Sequence, residues 1–294
     1  MRKHVITIVF LAFIAGSCHA PSGKSGERTV TVTIPPVAWF VETIAGDDFN
    51  VNVMLPPGAD HHIWEPLPAQ INSLSGSEAL IVIGQLGFEE AWMKRFLQVN
   101  PDMRVLDLSQ NIELVTAYTD AYGEGHGHTG HLHEGADPHF WMSPAEAAIM
   151  AKDISEFLSG LNSGSAEKYE ANYRSLADSI AVLDTLVRNA VVSMKKRIVL
   201  VYHPALAYMA RDYGFEQVSF EDEGKSPSPA RMKELIDIAR EKEIKTIFIQ
   251  AEYDVRNAES LARESGAELV VINPMNEDWP AAVREVAETL YRAK

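Results

Sequence analysis

A single cysteine, Cys18, stands in 294 residues, which excludes an internal disulfide and any metal centre built from several thiolates. A metal held by this chain must be gripped by nitrogen and oxygen. No apolar run approaches the ~20 residues that a membrane-spanning helix needs. Basic residues are scarce beside acidic ones, 26 Lys and Arg against 41 Asp and Glu, for a formal charge of −15. A surface of that sign repels nucleic acid phosphates, and it attracts cations without selecting among them.

The longest apolar run, residues 5–14, follows Arg2, Lys3 and His4 and precedes Ala15, Gly16 and Ser17. That is the layout of an export signal over residues 1–17. The small residues leading into Cys18 resemble a bacterial lipobox, with Cys18 as the lipidated new N-terminus and Ala15 where that motif usually carries Leu. Cleavage at a neighbouring bond would instead leave Cys18 discarded or free. Loss of Arg2 and Lys3 with the signal makes the exported chain more acidic still. Residues 18–28 are short, polar and Gly/Ser-bearing, as expected of a tether. The remainder exceeds a typical single domain, so two lobes are expected, the chain acting as a monomer.

Val- and Ile-rich runs at 29–34, 49–55, 79–83 and 104–108 alternate with helix-compatible stretches at 37–45 and 68–73. A second set at 197–202, 216–220, 246–250 and 268–272 alternates with helical patterns at 205–213, 230–242 and 254–265. This rhythm predicts an α/β chain of two lobes, 29–160 and 196–294, each a roughly four-stranded parallel sheet covered by helices. Ser143, Pro144 and Glu146 read as a capping box starting a helix that runs to about residue 158. From 166 to 194 apolar residues recur every three or four positions without Pro or Gly. One long rigid helix within 161–195 is therefore predicted to join the lobes, at odds with large clamshell closure.

Three histidines sit far apart in short Pro- and aromatic-bearing segments: His62 in HIWEP, His139 in DPHFW and His203 in YHPALAYMARDYG. His62 and His203 follow strands, and parallel sheets bind ligands beyond the carboxyl ends of their strands. Imidazole is the commonest side-chain metal ligand, so the three are predicted to meet as one metal site in the interlobe cleft. His61 complicates the first ligand, since neighbours in an extended loop point in different directions. The H-x-aromatic-E-P context selects His62. Glu65 is either an acceptor for an imidazole N–H or a solvated carboxylate. Trp64 and Trp141 are candidates for the cleft wall or for the core. His126, His128, His131 and His133 alternate with Gly and Thr in a short tract of metal-binding composition.

Together these motifs, the lipobox-like start and the central helix resemble the zinc and manganese solute-binding lipoproteins of bacterial ABC importers. The resemblance covers the mature chain. It implies that His62 and His139 are ligands from the first lobe and that His203 occupies the third position, which is His in zinc importers and Glu in many manganese-type members. It therefore implies Zn²⁺, a zinc-sampling role for the His-rich tract, and delivery to an ABC permease and its ATPase, with membrane contact only through the lipid. Two positions depart from the family pattern. Asn273 stands where a ligating Asp is common, and Ser226 where Glu often precedes PSP. The fourth position is left to water, Asn273, or a carboxylate among Asp222, Glu223 and Glu277. Two other functions use the same residues. One is a zinc hydrolase with three imidazoles, an open water position and Glu65 as base, and the other is a manganese-type receptor, adhesin or metal buffer.

Overall fold

The computed structural model describes residues 28–116, 136–221 and 227–293. Cys18, the tract carrying His126, His128, His131 and His133, and the positions of Asp222, Glu223 and Ser226 lie outside the described residues.

Both Val/Ile-rich sets fold into parallel sheets. β1 (Thr29–Val32), β2 (Asn50–Val53), β3 (Ser77–Val82) and β4 (Arg104–Asp107) lie in the order β2-β1-β3-β4. The second set repeats that order as β6-β5-β7-β8, with β5 (Ile198–Val201), β6 (Glu216–Ser219), β7 (Thr246–Gln250) and β8 (Glu268–Ile272). Parallel neighbours cannot be joined by a tight hairpin. Helices make the crossovers: α1 (Pro35–Ala45), α2 (Pro68–Ser73) and α3 (Gly87–Val99) in the first lobe, and α6 (Ala207–Tyr213), α7 (Pro229–Glu241) and α8 (Arg256–Ser265) in the second. α4 (Pro144–Leu161) and α5 (Ala166–Ser193) lie between the lobes in sequence, and α9 (Trp279–Arg292) follows β8. Among the described residues no helix is long and apolar enough to cross a membrane.

α5 has 28 residues, about 42 Å at 1.5 Å per residue. Tyr169, Leu176, Ile180, Leu183, Val187 and Val191 form its buried stripe, which packs against α1, α4 and α9. Side chains alternate across a strand, and each sheet accordingly feeds two cores. Val30, Val32 and Ile81 of the first sheet share one continuous core with α5 and with Val199, Val201 and Phe248 of the second. Leu80 and Val82 face a smaller cluster beneath α2 and α3, and Leu200, Ile247 and Ile249 face another beneath α7 and α8. Parting the lobes would expose apolar surface at about 25 cal/mol per Å², so the shared core opposes wide opening.

The helix after DPHFW starts at Pro144 as its sequence predicts, but the capping box does not form. Ser143 Oγ donates to Asp212 of α6, and Glu146 pairs with Arg211 of the same helix. Cross-lobe partners have taken both groups.

Candidate metal centre

His61 and His62 lie in the connection between β2 and α2. Gly58 turns the chain with a φ of 76°. Asp60 Oδ1 accepts the His62 N–H at 2.9 Å, and Asp60 O accepts the N–H groups of Ile63 and Trp64. The chain is tightly turned here, not extended, so the adjacent imidazoles do not diverge. Their ring centroids are 3.9 Å apart.

His139 sits in a short 3-10 turn, His139–Met142, just before α4. Asp137 Oδ1 accepts both the His139 backbone N–H at 2.8 Å and the ring Nδ1–H at 2.9 Å, which fixes the ring within its own loop. His203 follows β5, whose neighbours β6 and β7 lie on opposite sides, the position where a parallel sheet opens a crevice. Gln250 at the end of β7 holds the His203 backbone twice, accepting its N–H at 3.2 Å and donating to its carbonyl at 2.6 Å. Glu221 Oε1 accepts from His203 Nδ1 at 2.8 Å.

These loops converge. His61 Nε2 lies 3.0 Å from His139 Nε2, and His62 Nε2 lies 2.8 Å from His203 Nε2. One ring nitrogen from each of the four histidines falls within 4.8 Å of the others. Four Zn–N bonds of about 2.0–2.1 Å in a tetrahedron require nitrogens about 3.3–3.4 Å apart, inside the range spanned here. A carboxylate can only accept, so Asp137 and Glu221 place the proton on Nδ1 and leave Nε2 of His139 and His203 with a lone pair facing the cluster. His61 Nδ1 is buried and has no hydrogen-bond partner among the described residues.

Burial, then the neighbouring charges of His139 and His203, holds the His61 pKa well below the ordinary histidine value. Burial also lowers that of His139, against the opposing pull of Asp137. Neutral imidazole is the ligating form. As far as these two rings are concerned, metal affinity is therefore expected to hold to below pH 6.5, where ordinary histidines protonate, and to fall only on stronger acidification. The metal-free protein should lose stability in the same direction. Unfolded histidines take up protons near pH 6.5 while folded His61 and His139 resist, so the unfolded state binds more protons below that value. Zinc titrations and urea melts at pH 8, 7, 6 and 5 check both; an affinity that rose toward pH 5 would contradict the assignment.

Glu65 and Glu277 are exposed, and neither belongs to the group of converging ligand atoms. Asn273 is also exposed, with its Oδ1 taken by the N–H of Met275. Asn273 and Glu277 line a cleft of about 300 Å³ with Pro57, Gly58, Ala59 and Glu252, drawn from both lobes. Trp64 stands edge-on to Phe88, whereas Trp141 is fully buried with its ring 5.2 Å from that of His139.

The family described as zinc-uptake complex component A, periplasmic (ZnuA), matches residues 30–293. The chain is 25% identical over 281 residues to the zinc-binding lipoprotein AdcA of Streptococcus pneumoniae, covering 94% of this chain and 56% of the relative. It thus spans little more than half the length of that relative. It is 26% identical over 279 residues to the high-affinity zinc uptake system protein ZnuA of Bacillus subtilis, covering 92% of this chain and 87% of the relative. A crystal structure of ZnuA superposes with a TM-score of 0.81 at 31% identity, over 91% of this chain and 99% of the other. A manganese-bound periplasmic metal-binding protein of Candidatus Liberibacter asiaticus shares the fold at a TM-score of 0.75 and 21% identity, over 90% of this chain and 100% of the other.

Proposed function

The chain belongs to the ZnuA family of periplasmic zinc-uptake components, and on that footing we propose that it captures Zn²⁺ outside the cytoplasm and delivers it to an ABC permease driven by its ATPase. The observation that carries this reading is the meeting of four imidazoles, His61 and His62 with His139 from the first lobe and His203 from the second. Zinc accepts an all-nitrogen tetrahedron, while Mn²⁺ and Mg²⁺ favour oxygen. In this reading His62, His139 and His203 are ligands, and His61 fills the fourth position in place of Asn273, water or a carboxylate.

Four protein ligands also bear on the choice between receptor and enzyme. A hydrolytic zinc keeps one position open for water, and a closed shell holds the ion without activating a nucleophile. The protein is then a binding protein, tethered through Cys18 when the lipobox is processed and acting as a monomer. The shared core and α5 restrict capture and release to small displacements of the ligand loops. His126, His128, His131 and His133 would sample zinc for that centre.

A strain lacking the protein tests the function. Wild-type protein is expected to restore zinc uptake at limiting zinc, and His203→Ala to restore little of it. Equal uptake with the two forms would overturn the proposal.

A further inference from the structure

Between β4 and α4 the chain makes a small antiparallel bridge, Thr116 opposite Ala136, and the next pair outward is Val115 and Asp137. Residues so placed in an antiparallel ladder exchange two N–H···O bonds. Here only one is direct, Asp137 N–H to Val115 O at 2.9 Å. In the place of the other stands the hydroxyl of Tyr208, from α6 of the second lobe. Val115 N–H donates to Tyr208 Oη at 3.2 Å, and Tyr208 O–H donates to Asp137 O at 2.6 Å.

That hydroxyl touches the residue that orients a ligand. Asp137 is held at three groups: N–H to Val115, C=O to Tyr208, and Oδ1 to both the backbone and the ring of His139. Tyr208 is five residues beyond His203, and the segment between them is pinned to its own lobe where Leu206 N–H donates to Gln217 Oε1 at 3.1 Å. One turn further along α6, Arg211 reaches Glu113 O and Glu146, and Asp212 receives Ser143 Oγ. α6 thus brackets the His139 loop on both sides. Burial pushes the Tyr208 pKa up, so its proton stays available for donation.

We infer that Tyr208 is a positioning residue for the metal centre: its hydroxyl, inserted between Val115 and Asp137, sets the place of His139 relative to His203 across the lobes. This inference rests on the zinc-binding reading of the histidine cluster. Without the hydroxyl, the half-buried Val115 N–H and the buried Asp137 C=O lose the group that spaces them and close on each other. That closure moves Asp137, and with it the imidazole it orients.

Tyr208→Phe keeps the ring, which packs edge-on to Phe140 at 5.9 Å, and removes only the inserted group. Tyr213→Phe is the matched control. Tyr213 is on the same helix and donates to Asp184 Oδ1 at 2.8 Å on α5, away from the histidines. Chelator-competition titration with Zn²⁺, the visible spectrum of the Co²⁺-substituted protein and the Tm of the metal-free protein are measured for all three forms. Tyr208→Phe is expected to weaken zinc binding about tenfold or more, the usual consequence of removing support behind a ligand, and to alter the cobalt bands. Tyr213→Phe is expected to lower Tm comparably while leaving zinc affinity within about twofold and the cobalt spectrum unchanged. Unchanged affinity and spectrum in Tyr208→Phe would overturn the inference, as would equal weakening in Tyr213→Phe. A wild-type protein that binds no zinc would instead sink the functional reading, and this inference with it.

Discussion

Replacing His139 by alanine is expected to weaken zinc binding about a hundredfold. Four-ligand protein sites bind Zn²⁺ with roughly 10–16 kcal/mol at neutral pH, so one of four similar ligands contributes on the order of 3 kcal/mol, about two powers of ten. His139 should not fall below that share. It is 1% exposed, its ring is oriented by Asp137, and its Nε2 already stands 3.0 Å from that of His61. His61→Ala is the more discriminating partner experiment. In a four-imidazole site it should cost a similar factor, whereas in a site of three histidines and water it should cost little. Competition with a chelator of known affinity reads both.

Trp141→Ala is expected to destabilise the metal-free protein by about 3–5 kcal/mol from lost packing. Trp141 is 0% exposed. Its indole N–H donates to Pro274 O at 2.9 Å in the other lobe, and its own carbonyl accepts the Trp279 indole at 2.6 Å. Truncation leaves Pro274 O without its donor as well as a cavity, adding about 1–3 kcal/mol if no water enters. Natural domains have only about 5–15 kcal/mol in total, so a large share of folding stability rests on this side chain. Saturating zinc should restore part of it by mass action, about 4 kcal/mol at a thousand times Kd. Urea melts with and without zinc check this, and a loss under about 1 kcal/mol would contradict the cross-lobe role.

The sheets were legible because their strands are short apolar runs, most of them rich in Val and Ile and most of them followed by helix-compatible sequence. α3 was not, because its N-cap is Leu86, which has no polar side chain. Glu89 supplies the capping from inside the helix, accepting the N–H groups of Ile83, Gly84 and Leu86. α9 was not read either, although Asp278, whose side chain accepts from Ala281 N, is a polar N-cap at its start. At the metal centre, the His139 loop could be read locally, since Asp137 two residues earlier makes its bonds within the motif. His61 could not be read from an extended loop; the local sign was Asp60, whose side chain and carbonyl fold residues 60–64 into a turn. Glu221 was invisible for another reason. It lies 18 residues from His203 and meets it only through the pairing of β5 with β6. The capping box was a true local pattern, but α6 of the second lobe claims both Ser143 and Glu146.

A crystal structure of the zinc-loaded protein, with anomalous scattering recorded at the zinc edge, tests the four-imidazole centre most directly. The expected result is one anomalous peak about 2.0–2.1 Å from Nε2 of His61, His62, His139 and His203, with Asp137 and Glu221 still bonded to the outer nitrogens of His139 and His203. A peak coordinated by three histidines and an oxygen, with His61 turned away, would contradict the closed site.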